Sequence, residues 1–441
     1  MDYLPLELCK EIFGGIPKSD LKSIRLVSKK LNALSSPLLF TRVYASLHLK
    51  DLEVLSAISR HPILSLLVQE IIYSGVFFHL SKIKASRNVS EEEPLSQHDL
   101  ERGREYYRQR VEESEMTLRD REDVVIISAA ISRMPNIRMV TLTNHWRPTR
   151  DLLGECSWSE RFLGLVDLPE GARFGGPLPR VYPSYAKVPC GLPLCMRDPK
   201  TGGINIDHGF RVMSRALSIA NARVRMLSID YFYDPLGSLR SQLTGGISPG
   251  SFHMSPRDFV HSYNAFRYLH EVAFSLWMEN TDIEWGILMQ GNIAKLLAAA
   301  EELEVLTFNF NRKVDNIHLD KFLGSLTWPR LRSIRLFRKE IHQEELVGLL
   351  KRHCKTLKVL CLDSINLKSG TWLGTAEEIH GCLSLGFISL HELGERVDPW
   401  NVRAAITEHL EDYIVHGVSD DIYEPNYRPG TPIRFTTASV I

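Results

Sequence analysis

Neither sign of charge prevails in this chain of 441 residues: 53 lysines and arginines stand against 53 aspartates and glutamates. Such a balance supplies no general attraction to nucleic acid or to an anionic membrane. Cysteine is scarce, and an odd count of seven scattered residues argues against a disulfide framework. No apolar run approaches the roughly eighteen residues that a bilayer span needs; Val124 to Ile131 is among the longest and reads as a buried helix. The opening Met1-Asp2-Tyr3 has neither the basic start nor the apolar stretch of a secretion signal. These absences predict a protein of the cytoplasm, the nucleus or both, with no membrane and no nucleic acid as partner.

Catalytic signatures are equally sparse. There is no Gly-x-Ser-x-Gly elbow, no Gly-Lys-Ser/Thr phosphate loop and no Gly-x-Gly-x-x-Gly after a strand. Cys190 and Cys195 have a spacing that zinc sites use, but no second pair follows and His208 stands alone, so they read as free thiols in a loop. His253, His261 and His270 sit among Phe252, Phe259, Tyr263, Phe266 and Tyr268 and read as structural. No nucleophile and orienting carboxylate accompany them at recognisable spacing. Asn88-Val89-Ser90 matches a glycosylation acceptor only formally. The expectation is a non-enzyme without metal or cofactor.

What the chain does hold is a recurring apolar phrase. Leu67-Val68-x-x-Ile71-x-Tyr73 returns at Ile137, Val224, Leu269, Leu303, Leu331, Leu357 and Leu385, each time as apolar-x-x-apolar-x-apolar. The last four starts are 26 to 28 residues apart, within the range of leucine-rich repeats. In such a unit a strand turns alternate residues inward and a helix covers them. Neither buries its face alone, so neighbouring units must stack. Asn292 to Leu303 and Glu344 to His353 supply helical halves, and Leu47 to His61 reads as a further helix. The asparagine that follows the strand in the consensus appears at Asn311. His145, Lys339, Ile365 and Leu393 stand in its place elsewhere, and earlier spacings stretch to 34, 45 and 87 residues. The array is therefore degenerate. Inward strand positions such as Arg335, Asn309 and Asp230 are candidates for a binding face by strand parity alone, and what they would bind is unknown.

Two insertions interrupt the array. Residues 82–123 are dense in Glu, Arg and Gln and read as a solvated helix or helical pair laced by i,i+4 charge pairs. Residues 163–203 are rich in Pro and Gly and suit either a binding loop or a loose insert. Near the end, Pro399 to Val415 reads as a helix through Val402, Ile406, Leu410 and Ile414, suited to capping the array over 398–418. Residues 419–441 read as an extended tail.

The first forty residues stand apart. Leu4-Pro5-Leu6-Glu7-Leu8 leads into Ile12-Phe13, then Asp20-Leu21, Arg25-Leu26-Val27-Ser28-Lys29-Lys30-Leu31 and Pro37-Leu38-Leu39-Phe40. Pro5 suits a helix start, where its missing N–H costs nothing. Leu8, Ile12 and Phe13 make one apolar face. Ser19 and Asp20 suit the cap of a second helix, along which Leu21, Ile24, Val27 and Leu31 keep the helical spacing. So small an element cannot bury that much apolar surface internally.

The order Leu-Pro-x-Glu-Leu, Asp-Leu, Arg-Leu-Val-Ser-Lys-Lys-Leu, Pro-Leu-Leu-Phe resembles an F-box, in particular that of fungal families whose remaining chain is leucine-rich. The resemblance spans Leu4 to about Val43. It implies an α/β protein with a three-helix F-box in residues 1–45, followed by an irregular leucine-rich-repeat solenoid over 46–397. It also implies binding to the Skp-type adaptor of a cullin-based (SCF) ubiquitin ligase. Leu4, Pro5, Glu7, Leu8 and Ile12 match the first segment of the motif; Leu21, Val27 and Leu31 match the second and third helices. Gly14-Gly15 departs from the pattern, and two glycines, at roughly 1 kcal/mol each against alanine, predict an early end to the first helix. The implied role is substrate recognition for ubiquitin transfer, with an unknown protein substrate on the solenoid. A different reading of the same residues makes the helical hairpin only the N-terminal cap of a repeat scaffold.

Overall fold

A computed structural model of the protein describes residues 5–16, 18–74, 109, 112–113, 116–117, 119–143, 208–229, 231–233, 239–241, 247, 249–276, 282–314, 318–395, 410–411 and 414. Residues 163–203 and 419–441, with Leu4, Cys190, Cys195 and Asp230, lie outside them, as does most of 82–123. The described residues between 109 and 120 are helical.

Three helices open the chain: α1 (Leu6–Gly14), α2 (Lys18–Ile24) and α3 (Lys29–Phe40). The spacing of Leu21, Ile24, Val27 and Leu31 predicted one continuous helix, but the chain turns over Arg25 to Val27. Ser28 then caps a new helix, its Oγ accepting from the Leu31 N–H at 3.2 Å. A serine that satisfies an orphan donor outweighs a weak continuation of apolar period. Asp20 falls inside the first turn of α2 rather than ahead of it, where its charge suits the positive end of the helix. Cys9, Phe13, Leu21 and Leu34 are buried together, with Ile16, Ile24, Leu31, Leu38 and Leu39 packed on them. The trio thus has its own small core, separate from the rest.

Thr41 alone separates α3 from β1 (Arg42–Ser46), so the boundary expected at residue 45 falls inside a strand. The sheet continues through β2 (Glu70–Ser74), β3 (Met139–Thr143) and β4 (Met226–Ile229). After a separate antiparallel pair, β5 (Tyr231–Tyr233) and β6 (Leu239–Ser241), come β7 (Glu271–Leu276), β8 (Val305–Val314), β9 (Ser333–His342) and β10 (Val359–Asp363). Short β11 (Asn366–Ser369) pairs with β9 and with β13 (Gly394–Glu395), and β12 (Phe387–His391) is the last strand of the main path. Along that path, β1-β2-β3-β4-β7-β8-β9-β10-β12, strands lie side by side in chain order. Every neighbouring pair is parallel. Each apolar phrase of the sequence delivers one of these strands.

Register explains why the phrase repeats. Val43, Ile71, Val140, Leu227, Val272, Leu306, Ile334, Leu360 and Ile388 are partners across successive strands and form one apolar row. Side chains alternate along a strand, so a slip of one residue would turn this row to the other face. Helices Leu49–Arg60, Glu122–Ser132, His208–Ile219, Pro256–Phe266, Asn292–Ala298, Gln343–Arg352 and Trp372–Ile379 contribute to the same core. Phe210, Phe252, Phe274, Phe308 and Phe322 run through its middle with ring centroids 4.5 to 5.8 Å apart at each step. That spacing suits tilted and edge-on aromatic pairs.

At the place of the consensus asparagine, Ile365 and Leu393 are buried apolar residues, and buried Lys339 carries its ammonium 5.3 Å from the Phe310 ring centroid. At the far end, Leu410 and Ile414 belong to the main core, and Glu411 accepts the Leu390 N–H at 2.5 Å. That bond occupies a donor on the last strand of the path, where an unpaired edge invites association.

Candidate docking surface on the N-terminal helices

The helical trio gives the first candidate site its shape. On α1, Cys9 and Phe13 turn into the small core while Leu8 and Ile12, one turn apart, are each 46% exposed. Between α2 and α3, Leu26 and Val27 are 82% and 73% exposed. Pro5 is exposed at the N-cap of α1, and Glu7 is exposed in its first turn. Leu31 is half-buried on the trio's core. Leu21, grouped by the resemblance with the docking residues, is buried inside and holds the trio together. Leu26 is a surface residue that the spacing argument did not separate from the helix around it; the turn exposes it.

The inner sheet face is the second candidate. Thr141, Ser228, Ala273 and Thr307 lie in one row across β3 to β8 and are buried. The same row is partly exposed at Arg335, Cys361 and Ser389. Asn309, a candidate by strand parity, is 1% exposed and belongs to the covered part, whereas Arg335 lies where the face opens. Burial pushes the Cys361 thiol up, against the opposing pull of the Arg335 charge, so that thiol is not primed as a nucleophile. Nearby, Asp363, His391 and Glu392 place one ligand-type atom each within 4.8 Å of one another. Ser364 Oγ lies 2.8 Å from an oxygen of each of the Asp363 and Glu392 carboxylates, its single proton serving one at a time.

Histidines met in the sequence have structural partners. His208, unattached in the zinc reading, meets the fully buried Asp123 at 2.5 Å. His261 meets Ser218 at 3.0 Å and His270 meets Glu304 at 3.2 Å. Burial lowers His261, and the charges of Arg215 and Arg257 lower it further. Burial raises the Asp258 carboxyl, but bonds from Ser255 and Arg215 outweigh it and hold the group below its ordinary value. Burial also raises the Tyr73 hydroxyl, reinforced by the adjacent Asp123. Most of these pairs join neighbouring helices, as His208 with Asp123 and His261 with Ser218 do, while His270 and Glu304 pair at the starts of adjacent strands.

No family model matches the chain, and no curated protein matches it. No helix among the described residues is long and apolar enough to cross a membrane. The fold itself defines an α/β protein built on a mostly parallel sheet.

Proposed function

We propose that this protein is a substrate-recognition subunit of an SCF-type ubiquitin ligase. In this reading α1 to α3 are an F-box that docks a Skp-type adaptor and, through it, a cullin. The parallel sheet and its helices are a degenerate leucine-rich-repeat solenoid that holds a protein substrate, and the chain itself catalyses nothing. One observation carries the reading: Leu8 and Ile12 remain on the surface of a trio that already has a core of its own. A cap for the sheet would turn them inward, whereas a docking module leaves an apolar patch for a partner. Burying each residue against an adaptor would contribute about 1.5–3 kcal/mol before the costs of association.

The test is adaptor capture from a eukaryotic lysate. Leu8→Asp is expected to abolish recovery of the Skp-type adaptor while the far-ultraviolet dichroism stays unchanged. Equal recovery by parent and variant would sink the assignment. The competing reading is a leucine-rich-repeat scaffold in which the trio is only a cap. It draws support from the single residue between α3 and β1 and from the packing of α3 against the short helix Leu64–Leu67. A stable protein that recovers no adaptor would favour it.

A further inference from the structure

The residues that immediately precede the strands form their own row. The N–H of Arg225 bonds the carbonyl of Arg138 at 2.8 Å, His270 bonds Arg225 at 2.7 Å, and Glu304 bonds His270 at 2.7 Å. Arg332 then bonds Glu304 at 2.8 Å and Lys358 bonds Arg332 at 2.7 Å. This backbone ladder sets six side chains along one rim of the sheet. Arg138, Arg225, Arg332 and Lys358 are exposed, while His270 and Glu304 are partly exposed and paired with each other.

The arginines of this row differ from their neighbours. Two residues earlier, Arg223 lies over the Tyr268 ring and Arg330 pairs with Glu302. Lys358 Nζ donates to the Ser384 carbonyl at 3.0 Å. The side chains of Arg138, Arg225 and Arg332 make no hydrogen bond or ion pair with a described residue. Like charges side by side on adjacent strands are unfavourable. Guanidinium groups so placed fit carboxylates in bidentate fashion.

We propose that this rim binds an acidic segment of a protein partner, running across the strands in extended form. Adjacent strands lie about 4.8 Å apart, so Arg138 and Arg225 make one cationic pair, and Arg332 with Lys358 makes a second, about 14 Å away. An extended chain advances about 3.3 Å per residue and turns alternate side chains to one face, so two Glu-x-Glu pairs separated by about three neutral residues match the row. His270 and Glu304 occupy the gap. A nucleic-acid strand, with a phosphate about every 3.4 Å, would press charge against the Glu304 carboxylate; a peptide need not. The proposal gives a substrate class to the recognition reading and rests on it only for the partner's role.

The test uses the full chain and a fluorescein-labelled peptide of about nine residues, with Glu-x-Glu at each end and serine and alanine at the other positions. Binding is followed by anisotropy at low and at physiological salt. The double variant Arg138→Gln, Arg225→Gln is expected to weaken binding by about tenfold or more. A control with the same loss of charge, Arg60→Gln, Arg257→Gln, is expected to change it less than about twofold, because neither residue stands in the row and isolated exposed charges contribute little. Equal losses in both variants would overturn the proposal. So would a glutamine version of the peptide binding as well, or an oligonucleotide of similar length binding more tightly through the same arginines. Adaptor capture is measured on the same preparations. Rim variants that lose peptide but keep adaptor, or a Leu8→Asp variant that does the reverse, separate the two assignments.

Discussion

Leu8 and Phe13 leave α1 in opposite directions, the first 46% and the second 1% exposed. Five residues at 3.6 per turn place them about 140° apart around the helix axis, so one helix serves two surfaces. Phe13→Ala is expected to cost the trio about 3–5 kcal/mol through lost burial and a cavity. Leu8→Ala, which removes no core contact, stays within about 0.5 kcal/mol. Hydrogen exchange of the amides in residues 5–40 reads both. Fast exchange in both variants would mean that Leu8 is part of the fold rather than of a docking surface.

The glycines of α1 make a second prediction. The helix closes at Gly14, and Gly15 caps it with φ −89°, its N–H reaching the Ile12 carbonyl at 3.2 Å. A Cβ at Gly14 would meet nothing within 4 Å. Gly14→Ala removes backbone freedom from the unfolded chain without a clash, and is expected to stabilise α1 by up to about 1 kcal/mol. Slower amide exchange in α1 would show it. Faster exchange would mean that the early end of the helix depends on the glycine itself.

Strands were legible in the sequence because their signal is redundant: Leu360, for instance, is apolar, stands in an apolar-x-apolar phrase and has register partners on both sides in Ile334 and Ile388. The break at Ser28 was not, because Val27 and Leu31 continue the helical spacing across it while only one side chain signals the cap. β11 and β13 run only four and two residues, too short for a period to show. The covered part of the inner face was illegible for another reason. Thr141, Ser228 and Thr307 are polar, and polarity alone reads as exposure, yet all three are buried. The Thr141 hydroxyl donates to Glu70 at 2.5 Å, a partner 71 residues away in the chain.

Asp123 is the most enclosed of the described carboxylates with a base beside it. Its side chain is fully buried, accepts the Val124 N–H at 2.7 Å and meets His208 at 2.5 Å. It also stands beside the buried Tyr73 hydroxyl, whose ionisation it opposes. Removing one member of a buried pair strands the other, at about 3–5 kcal/mol. Asp123→Ala is expected to lower the unfolding free energy from urea titration by an amount in that range. A loss below about 1 kcal/mol would mean that the pair behaves as a solvated one.

His353 makes stability depend on pH with a definite sign. The residue is 2% exposed and stacks on Trp328 with ring centroids 5.6 Å apart. Its Nε2 accepts the Trp328 N–H at 3.1 Å, and its Nδ1 donates to the Leu349 carbonyl at 3.0 Å. That arrangement needs the neutral ring, since a protonated Nε2 would face another donor. Burial lowers its pKa, and the Leu349 carbonyl opposes that only in part. The unfolded chain, near pKa 6.5, therefore binds a proton before the native state does. The contribution of His353 is complete above about pH 6.5 and is lost as pH falls below it. His261, also lowered by burial, acts with the same sign. Thermal midpoints are expected to fall from about pH 7 to about pH 5. His353→Phe, less stable at neutral pH through the lost acceptor, should show a shallower fall, with the remainder left to His261. An unchanged slope in that variant would place the proton uptake elsewhere.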